Sequence, residues 1–373
     1  MHCQFLTSIH DIPEAEWQTL LGSDYPFLQY AFLSALETSG CVGEGTGWHP
    51  HYLWVTEAQV PVAAAPLFIK TDSWGEYVFD WAWADAFRRA GRAYYPKWVC
   101  AIPFTPASGP RLLGTLTAGH WPALQQQLEQ QAHNNAISSL HWLLSGPDES
   151  AQLAPRWRQR QGTQFHWFNH GFKDFAGFLA TFNARKRKSL LRERRKVAEA
   201  GITLTRKTGA DITAADWEHF YACYRHTYAK RSGHAGYLNR AFFQTLSQSL
   251  AHQVMLVQAE REGQLIASAL NFFDAHTLYG RYWGCLEEWD CLHFEACYYQ
   301  GIEFAIEQKL TRFDPGAQGE HKIQRGFTPV PVVSNHWIKD ADARAAIDQF
   351  IETERRHNEA YLKAAADLLP FRQ

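Results

Sequence analysis

Apolar residues recur at two spacings along this chain, and the two alternate in the same order twice. Residues 14–21 and 28–38 carry apolar side chains three and four positions apart, the period of one buried helix face. Strands are predicted next over 51–57 and 60–70, then 98–102, a helix over 122–133 and a strand over 139–144. An aromatic-rich segment, 72–95, interrupts this series. The second half repeats the order: a long helical region over 174–200, a strand over 202–207, then a helix whose Trp217, Phe220, Tyr221, Tyr224 and Tyr228 form one stripe. A helix over 240–250 precedes two strands, 254–260 and 265–273, joined at Glu262-Gly263-Gln264 into a hairpin. Laying 57–68 over 262–273 matches Glu57 with Glu262, Gln59 with Gln264, Ala64 with Ala269 and Phe68 with Phe273. A short match of this kind agrees with duplication of one unit.

Length changes the picture from one core to two, because 373 residues exceed what a single core supports. The predicted boundary falls in 168–173, giving domains 1–170 and 171–373, the second opening with a basic helix. With 46% apolar, 20% charged and 14% aromatic residues the chain is globular, not disordered. Its 7 cysteines are scattered, with no Cys-x-x-Cys pair for zinc or redox chemistry, and read as reduced thiols. No basic and apolar leader opens the sequence, and no apolar run reaches the roughly 18 residues of a membrane span. The expected address is cytoplasmic.

A net charge of −2 gives no global attraction for polyanions, so any such partner must be met locally. The run from Arg185 to Lys196 holds eight basic side chains and one acid. Runs of this kind are usually a solvated helix face. Glu76, Asp80 and Asp85 stand among Trp74, Tyr77, Phe79, Trp81 and Trp83. Aromatic walls around carboxylates suit an amine or a sugar, while alternating aromatics also build cores. Glu76 and Asp80 are the substrate-binding candidates of that segment.

Two stretches carry a resemblance. The succession Arg281-Tyr282-Trp283-Gly284, a helix over 292–307, and Phe313-Asp314-Pro315 leading to Arg325-Gly326-Phe327 is similar to Fem-type and leucyl/phenylalanyl transferases. The segments 75–86, Tyr94-Tyr95-Pro96-Lys97, 103–111 and Gly316-Ala317-Gln318-Gly319-Glu320-His321-Lys322 resemble the predicted N-acyltransferase family labelled peptidoglycan biosynthesis, over nearly the whole chain. The fold this implies is α/β (α+β): two tandem acetyltransferase-like (GNAT-like) domains, each a mixed, mostly antiparallel sheet flanked by helices. The reaction it implies is acyl or aminoacyl transfer that forms an amide on an amine acceptor, a small molecule or a peptide. The co-substrate would be aminoacyl-tRNA or another activated donor such as acyl-CoA, with no metal and no tightly bound cofactor. The basic run then becomes a contact for tRNA or phosphate through Lys186, Lys188, Arg192 and Arg195. Two other readings stay open: a catalytically silent module holding a cell-wall precursor or RNA, and a CoA-dependent N-acetyltransferase.

Acyl transfer to an amine needs a base and a place for the oxyanion. Glu320 and His321 are the candidate bases, on a Gly-flanked loop that backbone flexibility lets approach a ligand; a solvated surface loop would read the same. Asp314 before Pro315 suits either catalysis or turn capping. Tyr282, Lys322 and Arg325 are further substrate-binding candidates, the Arg by a two-pronged contact to phosphate or carboxylate or else in an exposed salt bridge. An acetyl-CoA enzyme would cradle the pyrophosphate on a Gly-rich turn at a helix start. Here that turn, 285–293, holds Glu287, Glu288 and Asp290 and no glycine. The first half offers only Gly109-Pro110-Arg111.

Overall fold

A computed structural model describes residues 1–317 and 319–372. The chain divides into two compact units: Met1–Thr163 with Pro331–Tyr361, and Gln164–Val330 with Leu362–Gln373. A single cut near residue 170 does not describe this division, because the chain returns to the first unit with its last long strand.

The second unit shows the plan plainly. Strands Ile202–Thr208, Val254–Arg261, Gln264–Phe273 and Thr277–Cys285 run antiparallel in that order. Arg312–Asp314 then pairs in parallel with Thr277–Tyr279, and its other edge takes Trp167 and Phe168 in antiparallel fashion. Helix Ala214–Ser232 lies on this sheet through Trp217, Phe220, Cys223 and Tyr224, all buried, while Tyr221 and Tyr228 are only half-buried. The approach is close enough that a Cβ on Gly284 would sit 2.1 Å from the Cys223 backbone, so only glycine fits there. The helical region expected over 174–200 is two helices, Phe175–Ala180 and Ala184–Glu199. Asn183 separates them by accepting a hydrogen bond from the Lys186 N–H, an N-cap that restarts the helix.

The first unit follows the same order in two pieces. His2–Leu6, Tyr52–Glu57 and Val60–Ala65 form one antiparallel sheet. Leu67–Lys70, Lys97–Cys100 and Ser139–Ser145 continue in another, the last two in parallel, and Val333–Ile338 pairs antiparallel with Ser139–Ser145. The strand expected over 60–70 breaks at Pro66, which cannot donate to a ladder. The aromatic segment supplies a helix, Trp81–Arg89, which buries Trp83 and Phe87.

The internal repeat is visible in backbone detail. Both hairpins turn on two consecutive residues of positive φ, Ala58 and Gln59 in one, Glu262 and Gly263 in the other, the two-residue turn that matches strand twist. The register irregularities at Val55/Thr56 and Ala259/Glu260 coincide under the same superposition, and a third at Leu270/Asn271 falls where the first unit has Pro66 and Leu67. Ala58 therefore corresponds to Glu262, one residue away from the match made on side-chain identity.

Candidate functional site

In the second unit the parallel strands stay together for three residue pairs and then part. A cavity of about 370 Å³ opens between them, lined on one side by Gly280 to Trp283 and on the other by Pro315, Ala317, Gly319, His321 and Lys322. Arg231, Asn271, His293, Cys297 and Tyr298 also belong to its wall. The last two come from a π-helical turn, Glu295–Tyr299, a widened geometry that recurs at functional sites.

Lys322 is the buried cation of this cavity, which Arg231 and Arg281 also line. Its Nζ donates to the carbonyl oxygens of Gly316 (2.7 Å) and Ala317 (3.4 Å), and it makes no ion pair among the described residues. Burial lowers the ammonium pKa to about 8, against the opposing pull of the Asp314 carboxylate. Asp314 is buried and accepts from the Gly316 N–H at 2.9 Å, so turn chemistry is present; its Oδ2 has no partner among the described residues. His321 and Glu320 are exposed. The His321 Nε2 lies 2.8 Å from the Tyr298 hydroxyl, and burial of the ring, with Arg325 and Lys322 beside it, keeps the imidazole pKa below its ordinary value. Tyr282 is buried against Tyr224 and Phe243 and lines the cavity. Gln318, in the same loop, lies outside the described residues.

Arg325 is otherwise engaged. Its guanidinium donates to both carboxylate oxygens of Glu193 and to the His321 carbonyl, and lies over the Phe294 ring at 3.4 Å. This pairing of the buried Arg325 with the half-buried Glu193 leaves no fork for a phosphate, so Arg325 holds the loop against the basic helix instead. On that helix Lys186 bonds Gln324, Arg194 pairs with Glu295 and Glu303, and Lys196 with Asp290. Lys188, Arg192 and Arg195, with Arg185, are exposed and carry no ion pair among the described residues. They fall on one stripe of helix Ala184–Glu199.

The first unit places its candidates differently. Glu76 and Asp80 are 3% and 2% exposed, and the amine between them is the chain's own Lys97. The Lys97 ammonium reaches Glu76 at 2.9 Å, Ser73 at 3.1 Å and also Asp80, whose other donor is the Tyr94 hydroxyl. Burial pushes the Glu76 carboxyl up to about 7, with Lys97 opposing. The aromatic carboxylate cluster thus builds an internal ion-pair network. Unlike that of the second unit, the crevice past the parallel strands is closed here: Gly109 bridges Ser145, and the wholly buried Arg111 donates to the carbonyls of Ala107, Gly109, Pro110 and Leu143. Gly109-Pro110-Arg111 therefore presents no open phosphate cradle.

The profile of the FemAB-like family, described as peptidoglycan biosynthesis/recognition, matches residues 8–373. The chain belongs to this family. Its fold is similar to a crystal structure of FemX, with TM-score 0.55 and 12% identity over 93% of this chain and all of that one. The C-terminal domain of a putative lysylphosphatidylglycerol synthetase from Agrobacterium fabrum gives TM-score 0.54 and 9% identity, covering 91% of this chain and 96% of that chain. L-PGS from Bacillus licheniformis gives 0.50 and 10% identity over 86% and 95%. No curated protein shows a significant sequence match. These likenesses agree with the tandem acetyltransferase-like fold of this FemAB-like chain, in which no helix among the described residues is long and apolar enough to cross a membrane.

Sequence reading did not single out His293, Tyr298 or Arg231 for this FemAB-like site. The signal for His293 lay in the turn 285–293, tested as a phosphate cradle and not as a source of polar side chains facing a cavity.

Proposed function

We propose that this FemAB-like protein transfers an acyl or aminoacyl group to an amine acceptor in the cavity of its second unit. The observation that carries the reading is the parting of the parallel strands around the buried, ion-pair-free ammonium of Lys322. The amine nitrogen bonds to the acyl carbon, the bond to the donor's leaving oxygen or sulfur breaks, the amine proton passes to a base and the leaving group takes a proton. Lys322 meets the negative charge that grows on the carbonyl oxygen, where a cation preset in a water-poor site acts most strongly. Glu320 and His321, exposed beside Lys322, are the candidates for the proton.

The donor reading favours aminoacyl-tRNA over acyl-CoA. Glu287, Glu288 and Asp290 occupy the turn that would hold a pyrophosphate, while the unpaired basic stripe on Ala184–Glu199 suits a polynucleotide backbone. The test offers the purified protein a mixture of radiolabelled aminoacyl-tRNAs, or acyl-CoAs, with a set of primary amines. Amide formation with aminoacyl-tRNA is expected. Amide formation with acyl-CoA alone corrects the donor, and no product from either class returns the protein to a silent binding module.

A further inference from the structure

A second cavity, about 480 Å³, adjoins the first and shares three of its lining residues: Arg231, Trp283 and His293. These three side chains form the boundary that the two cavities have in common. His293 opens the helix after the turn 285–291 and is half-buried, its ring packed on Trp283 at 5.5 Å, Tyr298 at 5.3 Å and His321 at 6.2 Å between centroids. Among the described residues neither of its ring nitrogens has a hydrogen-bond partner. The contrast with His321 is direct, because His321 is already held by the Tyr298 hydroxyl.

A polar ring packed among aromatics without a partner among the described residues leaves a hydrogen-bonding capacity that water or a substrate in the cavity can meet. We propose that His293 hydrogen-bonds the acyl group of the substrate at this boundary, the donor lying on one side of it and the acceptor on the other. The inference rests on the acyl-transfer reading of the cavity. The groups facing His293 are Trp283, Phe294, Tyr298 and His321, with the cations Arg231, Lys322 and Arg325 around them. Burial first, then His321 and these cations, lower its pKa to about 3, so the ring is neutral near pH 7. His293 therefore acts as a neutral hydrogen-bonding group that does not change charge near neutrality.

Two measurements test this. Diethyl pyrocarbonate labels neutral imidazoles, and mass spectrometry reads each histidine; His293 should label at a rate that is flat from about pH 5 to about pH 7.5, where ordinary histidines speed up. An unlabelled His293 would show that the ring cannot be reached from either cavity and overturns the proposal. In the transfer assay with labelled aminoacyl-tRNA, His293→Phe should lower kcat by roughly 100-fold. His293→Gln, which keeps a hydrogen-bonding nitrogen, should stay within about 10-fold of wild type, with no change in the pH profile. Wild-type transfer combined with a wild-type rate for His293→Phe overturns this inference alone. Absence of transfer by the wild type overturns the acyl-transfer reading and this inference with it.

Discussion

Lys322 and Lys97 are 2% and 0% exposed, and their surroundings separate their roles. Lys97 lies between two carboxylates, so its charge is balanced inside the fold. Removing it leaves Glu76 and Asp80 buried side by side; Lys97→Met should cost about 3–5 kcal/mol, the usual penalty for stranding a buried charge, read from urea unfolding. A loss within experimental error would show that water reaches the carboxylates. Lys322 has carbonyls for neighbours and a lowered pKa of about 8, so at neutral pH its burial opposes folding. The unfolded lysine, with a pKa of about 10.4, holds its proton to higher pH than the folded one, so this penalty is fully present below about 8 and disappears as pH rises through about 10.4. The stability of wild type relative to Lys322→Met should therefore rise between pH 8 and pH 10, by up to about 3 kcal/mol. A flat difference across that range would mean the ammonium is solvated.

At the scale of elements, the exposed stripe of Ala184–Glu199 and its inward face divide the work. Arg194 and Glu193 tie the helix to the site through Glu295, Glu303 and Arg325, leaving Lys188, Arg192 and Arg195 to solvent. Replacing these three with Ala should weaken tRNA binding and reduce the slope of log affinity against log salt by roughly two to three, with the fold intact by circular dichroism. An unchanged slope identifies the stripe as a solvated face. Much of this element map was legible from the sequence, because helix stripes and hairpin turns are local patterns. Val254–Phe273 showed its hairpin through Glu262 and Gly263, whereas the turn at Ala58 and Gln59 hides its positive φ in residues that rarely adopt it, which shifted the repeat alignment by one. Lys322 stood in a motif that could be noticed, but its hydrogen bond to Gly316 O and its lack of an ion pair among the described residues are tertiary facts. Glu76 and Asp80 looked like a ligand pocket for a similar reason: the sequence shows carboxylates among aromatics and does not show that Lys97 fills the space between them.

Across the whole molecule, one architecture occurs twice with different outcomes at the same place. Each unit completes its sheet with a strand from a distant part of the sequence, 331–338 for the first and 164–168 for the second. Such an exchange leaves no periodic trace in a linear pattern, which is why a boundary near 170 looked sufficient. Beyond the parallel strands the first unit packs 103–111, with Arg111 donating to four carbonyls at 2.7 to 3.2 Å. The second leaves a 370 Å³ cavity at the corresponding point. On the proposed reading, filling one crevice and opening the other leaves a duplicated fold with one site, because a ligand entering the first crevice would have to displace a buried guanidinium and leave its carbonyl partners unpaired. Native mass spectrometry of the protein with a non-hydrolysable aminoacyl-nucleoside should therefore give one ligand per chain. Lys322→Met should weaken that binding, and Gly280→Val, which places side-chain atoms where a Cβ already lies 3.2 Å from Pro315, should obstruct the entrance between the strands. Two equivalents per chain, with one surviving both substitutions, would show that the first unit also opens and that the asymmetry between the crevices does not set the number of sites.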